Sequence, residues 1–143
     1  MAIATDLDAI GLGYQYSGTK NEGVCSRTVD ELKEIVERID RPVVIKGIMS
    51  VKAAVKCKEA GAYGILISNH GGNVVESSLA PCDVIAEIRK AVGPEMKVFA
   101  DGGVRSGEDV FKMLALGADA VVIYNKNFQR MVQLRHAPFI CVS

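Results

Sequence analysis

The sequence has no net charge of either sign, because 17 basic residues balance 17 acidic ones over 143 positions. That balance argues against the electropositive face of a nucleic-acid binder and the basic patch of a membrane-surface protein. No apolar run approaches the roughly 20 residues that cross a bilayer, so no membrane partner is expected. Met1-Ala2-Ile3-Ala4-Thr5-Asp6 lacks the basic start and long apolar stretch of a signal peptide, which makes a cytoplasmic protein the expectation. Cys25, Cys57, Cys82 and Cys141 are scattered and form no CxxC pair. They read as reduced thiols rather than a disulfide frame or zinc site, and no metal is expected. No GxGxxG fingerprint follows any strand-like run, which lowers a dinucleotide-binding Rossmann reading.

What is present is alternation. The length suits one modest domain, and 49% hydrophobic residues allow a real core. Short apolar runs near residues 2–7, 42–46, 64–68, 97–100 and 119–123 read as buried strands. Between them lie helical patterns. Thr28-Val29-Asp30-Glu31 is a capping box, followed by Leu32, Ile35, Val36 and Ile39 at helical spacing and closed by Arg41-Pro42. Ser50 caps a helix through Ala60, stopped at Gly61. Asp83 to Val92 places Val84, Ile85, Ile88 and Val92 on one face, and Ser106 caps a helix to Leu116, stopped at Gly117. Gly11 to Ser26 reads as a Gly- and polar-rich loop. Lys46–Ile67 and Asp101–Ile123 share one pattern: polar strand end, glycine, capped helix, Gly-Ala stop, apolar strand. A repeated βα unit implies a parallel sheet wound in one sense. Five strands cannot close an eight-stranded barrel. The expected fold class is therefore α/β, a partial (half) TIM (β/α)8 barrel of about five parallel strands with intervening helices.

The reactive residues gather at strand ends. Gly64-Ile-Leu-Ile-Ser-Asn-His-Gly-Gly72 is an apolar strand that stops at Ser68, Asn69 and His70 before two glycines. A histidine there is well placed for acid–base chemistry at neutral pH. Alone, it reads more readily as a structural residue at a capped strand end. Lys46 ends Val43-Val44-Ile45-Lys46, either snorkelling to solvent or fixed at the mouth as a cation. Asp8 stands at the end of the first strand, and Asp101 opens Asp101-Gly-Gly-Val-Arg-Ser-Gly107. The glycines, the free N–H groups of the coming helix and Arg105 suit an anion. The same turn also reads as a tight βα connection with a surface arginine. In βα-barrels the C-terminal ends of the strands form the active face.

Four words together, Pro42-Val-Val-Ile-Lys-Gly-Ile48, Ser68-Asn-His-Gly-Gly72, Asp101-Gly-Gly-Val-Arg-Ser-Gly107 and Ala115-Leu-Gly-Ala-Asp-Ala-Val121, resemble the C-terminal half of the FMN-dependent α-hydroxy-acid dehydrogenase and oxidase family, which includes glycolate oxidase and lactate oxidase. The resemblance covers roughly residues 2–123, with 124–143 a divergent tail. It implies an FMN cofactor and oxidation of a small 2-hydroxy acid to a 2-oxo acid. It also implies roles. His70 resembles the base that takes a proton from substrate, and Asp8 the aspartate that supports its protonated form. Lys46 resembles the lysine that stabilises the anionic reduced flavin, and Ser68 a flavin contact. Asp101, Gly102, Gly103 and Arg105 resemble the ribityl and phosphate site.

The departures are specific. The family places an arginine after the two glycines to grip the substrate carboxylate, whereas this chain has Asn73, a neutral amide. The family follows its last strand with Gly-Arg, whereas Tyr124-Asn125 stands here with Lys126 nearby. The strands that would open the barrel are absent. The partner expected is thus either further copies of the chain or a missing N-terminal half. Gln129 to His136 reads as a short helix, while Pro138 to Val142 has no evident place in the fold. Two other readings stay open. One is a non-catalytic remnant of such a barrel. The other is a different phosphate-binding barrel of the inosine-monophosphate dehydrogenase type, against which the Ser-Asn-His-Gly-Gly word argues.

Overall fold

The structure, a computed structural model, describes residues 2–6, 27–72, 77–123 and 139–141. Strands and helices alternate along the chain: β1 (Ile3–Asp6), α1 (Val29–Arg38), β2 (Val43–Lys46), α2 (Val51–Glu59), β3 (Gly64–Ile67), α3 (Pro81–Val92), β4 (Lys97–Ala100), α4 (Gly107–Ala115), β5 (Ala120–Ile123) and β6 (Phe139–Cys141). The strands form one six-stranded sheet in the order β1-β2-β3-β4-β5-β6, and each neighbouring pair is parallel. The five strands and four helices expected from the periodicities are all present. β6 is the addition. It lies in the segment without an evident place and pairs with β5, with Val121 opposite Phe139 and Ile123 opposite Cys141. The expected loop at 11–26 and helix at 129–136 lie outside the described residues.

Helix boundaries follow from side chains that satisfy orphan N–H groups. At α1, Thr28 N donates to Glu31 Oε2 at 2.7 Å and Glu31 N donates to Thr28 Oγ1 at 3.2 Å. Ser50 Oγ accepts from Ala53 N at 3.2 Å to open α2. α3 starts two residues before the expected Asp83 because Pro81 sits at its first turn, where a missing N–H costs nothing, and Asp83 Oδ2 accepts from Ala80 N at 3.0 Å.

The register of the sheet sorts residues into two faces. Ile45, Ile65 and Val98 form one row across β2, β3 and β4; each is 1% exposed or less, and they pack with Ala54, Cys57, Ile85, Ile88, Val110 and Met113 of the helices. The next row runs Asp6, Lys46, Leu66, Phe99, Ala120 across β1 to β5, in direct register, on the opposite face. Parallel strands covered on their helical face read as continuous apolar runs, and the alternation is visible only in this second row. Gly64 brings β3 close to β4. A Cβ there would stand 2.8 Å from Lys97 O and 3.2 Å from the Phe99 ring.

Candidate active site

Successive strands deliver their last polar residues to one end of the sheet. Asp6 closes β1 and Lys46 closes β2, and the two are register partners. Their side chains meet: Lys46 Nζ donates to Asp6 Oδ2 at 2.9 Å. Ser68 and His70 follow β3, and Asp101 follows β4, its N–H donating to Ile67 O at 3.0 Å. His70 Nδ1 lies 3.0 Å from Lys46 Nζ and 3.8 Å from Asp6 Oδ2. Lys46, Ser68, His70 and Asp101 thus converge as the sequence reading expected. Asp8 lies outside the described residues, as do Asn73, Tyr124-Asn125, Lys126 and His136. The carboxylate that meets Lys46 and His70 among the described residues is Asp6, which the sequence reading passed over.

The backbone under His70 is a mirror-image turn. His70 has φ 55°, the one positive φ outside glycine among the described residues, and Gly71 has φ 66° and ψ 22°. Gly72 N donates to Asn69 O at 2.9 Å, closing the turn. Positive φ at both central residues with this bond defines a type I′ turn. Histidine tolerates that region better than most side chains, and glycine occupies it freely. The His70 N–H donates to Ser68 Oγ at 3.2 Å, and Ser68 is almost fully buried. A strained residue held by its surroundings is a mark of functional sites.

Asp101 differs from the surface carboxylates. Burial pushes its carboxyl above the usual range, while a hydrogen bond with Ser68 and the charges of Lys46 and His70 pull the other way and Asp6 adds to the rise. Its Oδ1 is buried and has no hydrogen-bond partner among the described residues. An acceptor in that condition suits the hydroxyl donors of a ribityl chain. Beside it, Gly102 and Gly103 have φ 87° and 71°. A Cβ on Gly102 would stand 3.0 Å from Pro81 Cγ, whereas one on Gly103 would meet nothing within 4 Å, leaving its backbone open to a ligand. The α4 N-terminus is less open than the sequence suggests. Asp109 Oδ2 accepts from Arg105 N at 3.0 Å and Ser106 N at 2.9 Å. These bonds, Arg105 N–H first, hold the Asp109 carboxyl below its ordinary range. A phosphate at this turn therefore relies on the exposed Arg105 side chain and the Gly103 backbone. With that adjustment, the residues present fit FMN.

Comparison with known proteins identifies the family. The family model described as FMN-dependent dehydrogenase matches residues 14–126. An L-lactate oxidase of Roseobacter sp. (strain GAI101) is 41% identical over 100 residues, covering 70% of this chain and 27% of that protein. A 4-hydroxymandelate oxidase of Amycolatopsis orientalis is 42% identical over 96 residues, covering 67% of this chain and 27% of its own length. Among solved structures, mandelate oxidase with 3,3-difluoro-2-hydroxy-3-phenylpropionic acid superposes with a TM-score of 0.72 at 33% identity, over 85% of this chain and 40% of that one. The chain thus spans about a quarter of the length of these curated relatives, 27% in both. The fold is a partial TIM barrel, and the chain belongs to the FMN-dependent dehydrogenase family.

Proposed function

We propose that this chain carries the proton-transfer and flavin-holding half of a 2-hydroxy-acid oxidoreductase. The observation that supports it best is the meeting of Asp6, Lys46 and His70 within 3.8 Å at the strand ends. FMN, the family's cofactor, would supply the electron-accepting ring. Lys46 is the cation placed to stabilise negative charge developing there. Ser68, Asp101, Gly102, Gly103 and Arg105 would hold the ribityl phosphate. His70 takes the substrate proton at its ring, and Asp6, with Asp8 next on the same alternation, stabilises the resulting imidazolium. Asn73 offers the substrate carboxylate a hydrogen bond without charge, which makes weak carboxylate binding the expectation. Because residues 1–143 span about a quarter of the length of these relatives, FMN binding by this segment alone is expected to be weak. Partners are a small 2-hydroxy acid and a barrel-completing polypeptide or second copy.

The test is anaerobic. FMN is titrated into the protein, L-lactate or mandelate is added, and bleaching of the oxidised flavin is followed. Bleaching that requires His70 supports the proposal. FMN binding without bleaching by any 2-hydroxy acid would favour a second reading, a chain that binds flavin without turnover, which the short span relative to the relatives also favours. No binding and no bleaching would remove both.

A further inference from the structure

We infer that Asn69 is a positioning residue, whose amide ties the turn carrying His70 to the entry of α3 and to the glycine turn after β4. Three segments meet at this one side chain. Asn69 O accepts from Gly72 N at 2.9 Å and closes the His70 turn from within. Asn69 Nδ2 donates to Leu79 O at 3.2 Å, ten residues further along. A carbonyl only accepts, so the amide nitrogen must face Leu79, and Oδ1 is thereby turned away from it. That Oδ1 is buried, and a Cβ on Gly102 would stand 3.3 Å from it and 3.0 Å from Pro81 Cγ. Gly102 therefore packs against both the Asn69 amide and the first turn of α3. The helix entry is itself fixed, with Ala80 N donating to Asp83 Oδ2 at 3.0 Å.

The shape of the turn is costly. His70 has φ 55°, a region that side chains other than glycine keep only when their surroundings impose it. The bond from Gly72 N to Asn69 O and the bond from His70 N to Ser68 Oγ both lie within residues 68–72 and shape the turn from within. The Asn69 amide reaches out of the turn and sets it against α3 and Gly102. Few side chains could do so. Aspartate has the same shape but turns an acceptor on the Leu79 carbonyl, serine is short, and leucine has no donor. The consequence rests on the proposed function. There the base stands on the Asn69–Gly72 turn and the ribityl phosphate on the Gly102 turn, so one amide registers the base against the flavin. A shift of about an ångström between such groups costs on the order of 10²-fold in rate.

The test reads the backbone of His70 in the full-length protein by NMR. The three-bond HN–Hα coupling and the Cβ shift of His70 report its φ. The wild type should show positive φ. Asn69→Asp, which keeps the side-chain shape and loses the donor, should abolish that signature or split it between two conformers, and Asn69→Ala should do the same. Ser50→Ala, which removes the cap of α2 elsewhere in the fold, should leave the His70 signals in place. A wild-type His70 at negative φ would overturn the inference without any variant. So would a positive φ that survives in either Asn69 variant, or an equal change in Ser50→Ala, which would mark general loosening. In anaerobic bleaching at saturating 2-hydroxy acid, Asn69→Asp should reduce the flavin about 10²-fold more slowly, and a wild-type rate would also overturn the inference. Absence of bleaching from the wild type, with the expected His70 signals, would instead count against the enzymatic reading and leave the hold on the turn standing.

Discussion

The two ends of the sheet are built on opposite terms. Where the strands begin, Arg89 of α3 uses four of its five N–H donors. Its Nε donates to Gly117 O at 2.7 Å, its Nη1 to Gly93 O and Met96 O at 2.8 Å each, and its Nη2 to Asp119. Asp119 in turn accepts from Val98 N at 2.8 Å. Lys58 Nζ donates to Val92 O at 2.7 Å nearby. Where the strands end, Asp101 Oδ1 and Asn69 Oδ1 are buried without hydrogen-bond partners among the described residues, and His70 sits at positive φ. One end spends its polar groups on closing the loops between helix and strand. The other, among the described residues, leaves acceptors and strain in place. The division matches the general asymmetry of βα-barrels, with stability at one face and chemistry at the other.

The largest expected effect breaks the chemical end alone. His70→Ala should slow flavin reduction by a 2-hydroxy acid by roughly 10²–10⁴-fold, the value of a positioned acid–base group, while the thermal midpoint stays level or rises. Stopped-flow bleaching and a melting curve read the two together. An unchanged rate would remove His70 as the base.

Next comes the end where the strands begin. Arg89→Leu strands three carbonyls and the Asp119 carboxylate, and should cost about 2–4 kcal/mol in denaturant unfolding. FMN affinity per folded molecule should not change. If it falls with stability, the two ends are coupled and the comparison is too clean.

At the same end, Gly64→Ala forces a Cβ to 2.8 Å from Lys97 O and should cost about 1–3 kcal/mol, with smaller loss for any variant that also trims Phe99. Ser50→Ala removes a helix cap and should cost about 1 kcal/mol by the same measurement.

The smallest effect sharpens the contrast through pH. At Asp119, partial burial resists ionisation, but the Val98 N–H and Arg89 outweigh it and the carboxyl lies below its ordinary range. Its stabilisation is therefore present above the unfolded carboxylate value, about 3.9, and lost as pH falls through the lower folded value. At Asp101, burial dominates and the carboxyl lies above that range. Ionising it disfavours the fold, so its stability is greatest at low pH and declines as pH rises from the unfolded value through the folded one. Asp101→Asn should stabilise the protein slightly at neutral pH, and the gain should vanish in acid. Asp119→Asn should do the reverse. Denaturant midpoints across pH 3 to 8 compare them, and a destabilising Asp101→Asn at neutral pH would erase the distinction.

Most of the architecture was legible because it is local. The Thr28, Ser50 and Ser106 caps and the apolar spacing that follows each one mark helices without reference to any other segment. What escaped depends on pairing across the sheet. Asp6 and Asp8 share one alternation, so both are candidates to face Lys46 on period alone, and only the register of β1 against β2 puts Asp6 opposite it. β6 is three residues long, too short for a periodic signal, and its seat beside β5 is a non-local choice. The handedness of the Asn69–Gly72 turn was half visible. His-Gly-Gly permits positive φ, but neither the turn type nor the Ser68 hydroxyl bracing it can be read from composition.

The two rows of the sheet also define how the chain can be varied. Ile45, Ile65 and Val98 are set by the volume available under the helices, and each tolerates little beyond an isosteric exchange. Val44, Leu66, Phe99 and Ala120 belong to the other face and answer to whatever covers the strand ends. A combinatorial library confined to those four positions would repack the face opposite the helices while leaving the helix-side packing as inherited. The sheet thus has one face fixed by helix packing and one face open to variation.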